Sequence, residues 1–148
     1  MKADSTTEAA VKAVLNKMAE SYAKRDWEGM KAILAPDADN VMYGTGAHEK
    51  RIGLAEIKAQ AESDWSQTEA NALEFGWTSI SAAGDVAWAA ADMTFKLKVQ
   101  GQELVFPGRL TAVLEKRGGQ YLITQSHFSL PVAGQEEGEA VPPATHSA

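Results

Sequence analysis

The feature that most constrains this chain is the pattern of its second half. Between residues 70 and 130, β-forming residues alternate with polar ones, and chain breakers fall at three hairpin positions: Ala83-Gly84-Asp85, Gln100-Gly101-Gln102 and Arg117-Gly118-Gly119. This predicts four strands, Ala72–Ala82, Val86–Val99, Leu104–Lys116 and Tyr121–Leu130, running as one antiparallel meander. A sheet of that kind must have its apolar face covered by something else in the chain.

The first half supplies the cover. Ser5 and Glu8 have the spacing of a capping box, and Val11, Val14, Leu15, Met18 and Tyr22 recur at helical intervals, which predicts a first helix over Thr6–Lys24. Asp26 can cap a second, short helix carrying Trp27, Met30, Ile33 and Leu34, which Pro36 ends. A brief strand over Asn40–Tyr43 precedes the turn Gly44-Thr45-Gly46 and a polar loop to Gly53, and Ile57, Ala61 and Trp65 mark a third helix from Leu54. The expected fold class is therefore α+β, with three N-terminal helices packed in the concavity of a strongly curved antiparallel sheet. Residues 1–131 form this cone domain. Residues 132–148, rich in Gly, Pro, Glu and Ala without apolar period, read as a low-complexity tail.

Composition narrows the function classes. At 148 residues and 45% hydrophobic, the chain suits one domain that buries about 70% of its unfolded surface. Fourteen Lys and Arg against 20 Asp and Glu give a net charge of −6, which repels a phosphate backbone, so nucleic acid is not expected as a partner. With no cysteine and three histidines, neither a metal nor a cofactor is expected. No apolar run approaches the roughly 18 residues of a spanning helix, so no membrane partner is expected. The opening MKADSTTEAA lacks the apolar stretch of a secretory signal. The expected location is cytoplasmic, with an exported protein lacking its signal as the minor alternative.

Two strings carry a family resemblance. One is Tyr43-Gly44-Thr45-Gly46-Ala47-His48-Glu49, with Gly53 opening the third helix. The other is Arg109-Leu110-Thr111-Ala112-Val113 with Gly118-Gly119-Gln120-Tyr121 and His127-Phe128-Ser129. With the order of elements, they resemble the SnoaL-like branch of the nuclear transport factor two-like superfamily over about Thr6–Leu130. The resemblance implies a cone with an interior cavity and an outer sheet face that commonly meets a second subunit. It does not fix an activity, because the superfamily includes isomerases, cyclases, dehydratases, transport factors and kinase association domains. Its ketosteroid isomerases use a helix-borne tyrosine and an aspartate at the end of the first strand. Those positions hold Met18 and Tyr43 here, which argues against steroid isomerase chemistry.

Asp92 is the conspicuous carboxylate, set in the apolar run Val86-Ala87-Trp88-Ala89-Ala90-Ala91-Asp92-Met93. Inside a cavity it would serve as a general base or an anchor; in the other reading it is a structural ion-pair member, with Arg109 as partner. Tyr43, pointing inward, would donate to a ligand carbonyl, with Tyr22 as a second donor. Trp27, Ile57, Trp65, Trp88 and Phe128 are the expected apolar lining, or else simply core. Strand parity puts Arg109, Thr111, Gln125 and His127 on the outer face, flanked by Val113 and Ile123, as a homodimer patch, unless a bulge at Pro107-Gly108 shifts the register. Glu49 is expected to pin the glycine-rich loop, with His48 and Arg51 solvated. The functional expectation is a small, largely apolar organic ligand in the cavity, with cofactor-free acid/base chemistry of isomerase, cyclase or lyase type as the compatible reaction. The alternative is a non-catalytic dimerisation module with a vestigial cavity.

Overall fold

Asp4, rather than Ser5, opens the first helix. In the computed structural model, which describes residues 1–144, its carboxylate accepts a hydrogen bond from the Thr7 amide at 2.8 Å and starts α1 (Ser5–Ala23) one residue earlier than the capping-box spacing suggested. Asp26 caps α2 (Trp27–Lys31) through the Gly29 amide, as expected. A short strand β1 (Val41–Tyr43) is followed by β2 (Lys50–Ile52), which the polar sequence had disguised as loop, and then by α3 (Leu54–Gln67). The long strands are β3 (Ala70–Ala83), β4 (Val86–Val99), β5 (Gln102–Arg117) and β6 (Gln120–Ser129).

All six strands join one sheet in the order β2-β1-β6-β5-β4-β3. Every pairing is antiparallel except β1 with β6, where the chain returns from α2 beside the last strand. The helices cover one face of this sheet, the α+β cone arrangement expected of the sequence. Val11 and Leu15 of α1 are buried with Leu110, Leu114 and Ile123 of the sheet. At the tip, Gly118 and Gly119 both have positive φ (56° and 82°), the backbone that a two-residue hairpin requires.

Two bulges set which residues face in. In β3, Gly76 and Trp77 together oppose Asp92, and Trp77 is turned out to 64% exposure. In β6 the register shifts between Val113↔Gln125 and Leu114↔Ile123, leaving Thr124 as the extra residue; its hydroxyl bonds the Val113 carbonyl at 3.1 Å. No bulge at Pro107-Gly108 upsets the strand parity, since β4 and β5 pair without a shift through both. The Thr124 bulge corrects one expectation: Ile123 is fully buried in the core rather than flanking the outer patch.

Asn40, 1% exposed, joins the helical layer to the sheet by donating from Nδ2 to the carbonyls of Ala35 and Ile123, both at 2.9 Å. Residues 131–144 form only turns and almost all are exposed; the rest of the expected tail lies outside the described residues. Among the described residues no helix is long and apolar enough to cross a membrane.

Candidate functional site

The site is built where the C-terminal ends of α1 and α3 meet. On α3, successive residues turn by about 100°, which puts Ile57, Gln60, Ala61 and Asp64 on one face. That face looks into a cavity of about 350 Å³ between the helices and the sheet. Met18, Leu73, Phe95, Leu97, Phe106 and Phe128 make much of its apolar wall, while Tyr22, Gln60, Asp64 and Glu49 gather on its polar side. Phe95 takes its place because Gly108, on the neighbouring strand, has no side chain: a Cβ there would overlap the Phe95 ring, 2.7 Å from its Cδ2.

The polar side is a chain of hydrogen bonds. The Tyr22 hydroxyl donates to Asp64 Oδ2 at 2.8 Å. Gln60 Nε2 donates to Asp64 Oδ1 at 2.8 Å and to Glu49 Oε1 at 3.2 Å, and Gln60 Oε1 accepts from Arg51 Nε at 2.9 Å. Glu49 also accepts from the Gly46 amide at 2.9 Å, which pins the glycine-rich loop as expected. Arg51, expected in solvent, is instead half-buried behind Gln60. Burial pushes the Asp64 carboxyl above the ordinary carboxylate range, helped by the nearby Glu49 charge, although the bonds from Tyr22 and Gln60 and the charge of Arg51 pull the other way. Burial and the Asp64 charge likewise raise Tyr22 well above the ordinary phenol range, so its proton stays in place at neutral pH.

Tyr22 and Asp64 are held together by contacts behind them. Trp65 Nε1 donates to the Tyr22 carbonyl at 3.0 Å, and the two rings lie 6.0 Å apart. Arg25 forks onto the last carbonyls of α3, bonding Trp65 at 2.6 Å and Thr68 at 2.5 Å. It does so from a left-handed backbone (φ 57°), with the Arg25 amide bonded to the Tyr22 carbonyl and the Asp26 amide to Ser21, the Schellman ending in which glycine is usual.

Of the residues singled out from the sequence, the structure brings Tyr22, Ile57 and Phe128 to the cavity. Trp65 is buried with Met30 and Ala61 beneath the Tyr22–Asp64 pair, and Trp27 packs against the core; neither lines the cavity. Asp92 and Tyr43 need correcting as cavity groups. Asp92 is exposed on the outer face opposite Arg109, because the inward set of β4 is Ala87, Ala89, Ala91 and Met93. Tyr43 is 44% exposed and stacks on His127, ring centroids 5.1 Å apart, since β1 presents Met42 inward. Trp88 also faces outward, beside Trp77. Arg109, Thr111, Gln125 and His127 are all exposed on this outer face, as strand parity predicts. Among the described residues no three His, Asp or Glu side chains converge to hold a metal ion.

The sequence over residues 11–133 matches the SnoaL-like domain. The chain belongs to that family. Its fold is shared with a nuclear transport factor 2 (NTF2-like) superfamily protein of Salmonella enterica, at TM-score 0.81 and 21% identity over 94% of this chain and 100% of that one. An NTF2-like protein of unknown function from Pseudomonas putida is also similar (TM-score 0.75, 21% identity, 97% and 99% covered). So is a protein of Novosphingobium aromaticivorans provisionally assigned as a scytalone dehydratase (TM-score 0.77, 10% identity, 97% and 96% covered). No curated protein matches the chain. For this SnoaL-like chain, identities of this size establish the fold; the chemistry has to be argued from its own cavity.

Proposed function

We propose that this SnoaL-like protein binds a small, largely apolar organic molecule in the cone cavity, with Tyr22 and Asp64 meeting the polar part of the ligand. One observation carries this reading: a desolvated carboxylate stands in the wall of an otherwise largely apolar cavity of about 350 Å³, a volume within the usual range for small-molecule sites. A carboxylate whose pKa is raised by burial beside a hydrogen-bonded phenol is also suited to proton transfer, so cofactor-free acid/base chemistry is the reaction class that Asp64 would serve. A fold shared with a protein assigned to the dehydratases agrees with that class. The test is a thermal-shift screen of apolar ring compounds, followed by titration of the hits into the wild type and Tyr22→Phe. Hits whose affinity falls at least fivefold in the variant support the reading. Hits that bind both forms equally, or no hits at all, remove it.

The second reading concerns the outer face, and we infer that it meets a second copy of this chain. Trp77 at 64% exposure and Trp88 at 37% flank a groove with Thr111, Val113 and Gln125, an aromatic and polar mixture typical of subunit contacts. Sedimentation at micromolar concentration should show a dimer that Trp77→Glu dissociates; a monomeric wild type would rule the contact out.

A further inference from the structure

The polar wall of the cavity has spent its donors. Tyr22 has one O–H, and it points at Asp64. Gln60 has two N–H bonds on Nε2, one given to Asp64 and the other to Glu49. Arg51, the cation behind Gln60, gives Nε to Gln60 and Nη1 to the His48 carbonyl at 3.2 Å, and it does not line the cavity. What the wall turns toward a ligand is therefore acceptor lone pairs on Asp64, Glu49 and the Tyr22 oxygen. The charges add to this. Glu49 and Asp64 line the cavity, and no Lys, Arg or His does among the described residues. Ser126 supplies a separate sign of a missing partner. It is 5% exposed, lies on the cavity side of β6, and its hydroxyl meets no hydrogen-bond partner among the described residues.

A ligand that suits such a wall must bring hydrogen-bond donors and positive charge. A carbonyl would find no free donor on Tyr22 or Gln60, only hydroxyls outside that wall such as Ser126, and a carboxylate or phosphate would meet two like charges. We propose that the cavity takes an apolar amine in its protonated form, its ammonium group at the Tyr22–Asp64–Glu49 wall and its hydrocarbon body against Phe95, Phe106 and Phe128. This rests on the ligand-binding reading above and specifies the class. The aromatic rings favour the same choice, because their faces attract an organic cation. An ammonium ion would also set an opposite charge directly against the desolvated Asp64, which Arg51 reaches only from behind Gln60.

Three probes of one shape test it by calorimetry at pH 7: 2-naphthylmethylamine, 2-naphthylmethanol and 2-naphthoate. The amine should bind at least about tenfold tighter than the alcohol, a difference of one decade in Kd, and the carboxylate should be weakest. Asp64→Asn should bring the amine to within about threefold of the alcohol, and Glu49→Gln should narrow the gap in the same direction. If the alcohol binds as tightly as the amine, or the carboxylate outranks either, the amine class is overturned while the cavity remains a ligand site. A preference for the amine that survives both substitutions overturns it too. If none of the three binds at millimolar concentration, the ligand-binding reading falls and takes this inference with it.

Discussion

Removing the Tyr22 hydroxyl isolates the bond on which the site is built. Tyr22→Phe keeps the ring, its packing on Trp65 and the backbone bond from the Trp65 indole, so the change is confined to the 2.8 Å bond to Asp64. A hydrogen bond to a charged group contributes about 1.5–3 kcal/mol. Here Gln60 remains on the other carboxylate oxygen and Asp64 is only half-buried, so the lower end applies, about 1–2 kcal/mol. In a domain of this size that lowers Tm by roughly 3–6 °C. The pH dependence follows from sign. Asp64 has its folded pKa raised, so its charged form costs stability above that pKa, and the cost is relieved as pH falls through it toward the unfolded value. Tyr22→Phe deletes a bond that stabilised the charged form, so its deficit should be full at pH 7 and shrink in acid. In an Asp64→Asn background the same substitution should cost less than about 0.5 kcal/mol, giving a coupling energy of about 1 kcal/mol or more. Urea unfolding of the four proteins at pH 7 and pH 4 measures this directly. Additive effects at pH 7 would refute the reasoning.

Asn40→Asp should be far more damaging, because it aims a carboxylate at the two carbonyls that Asn40 now bonds; a loss of about 3–5 kcal/mol by chemical denaturation is expected, against about 2–3 kcal/mol for Asn40→Ala. Gly108→Ala should cost about 1–3 kcal/mol by displacing Phe95, and should change the fluorescence of any probe seated in the cavity. The bidentate bond from Arg117 holds the Asp37 carboxyl below the ordinary carboxylate range, so its contribution is present above the unfolded pKa and lost as pH falls below it. Asp37→Asn should therefore lower the melting temperature at pH 7, by an amount that shrinks as the pH falls through the folded Asp37 pKa. Deleting the chain after Pro131 should move Tm by less than about 5 °C, since the turns of residues 132–144 bond chiefly to one another.

The fold was legible because it is written in periodicity: alternation along the strands, helical spacing in α1 and α3, and glycines at the hairpin tips. The site was legible only in part, and the reasons are local. In β4 the run Ala89-Ala90-Ala91 gives no contrast between faces, so Asp92 looked buried in a strand apolar on both sides. Counting back from Phe95-Lys96-Leu97-Lys98, where the faces differ, would have placed it outside. Asp64, between Ser63 and Trp65, was not singled out. A helical wheel puts it about 20° from Ile57, at the edge of the apolar arc, which is the signal that could have found it. Glu49 and Gln60 gave no such signal, because their meeting depends on β2, whose Lys-Arg-Ile sequence does not resemble a strand. Nor did the bulges at Gly76-Trp77 and Thr124, which arise from pairing across the sheet.

The extra residue at Thr124 makes β6 two surfaces in series. On one side of it Tyr121 and Ile123 face the core; on the other Ser126 and Phe128 face the cavity. Deleting that one residue would restore simple alternation with no change of face, since Val113 would still pair with Gln125 and Leu114 with Ile123, and Ser126 and Phe128 would stay inward. Pairing Thr124 into the ladder at unchanged length would instead turn Ser126 and Phe128 out to solvent and bring Gln125 and His127 inward. A lineage with this architecture can therefore retune its cavity by exchanging side chains one at a time and can shorten this strand at its bulge. Changes of length should accumulate there and at the hairpin tips.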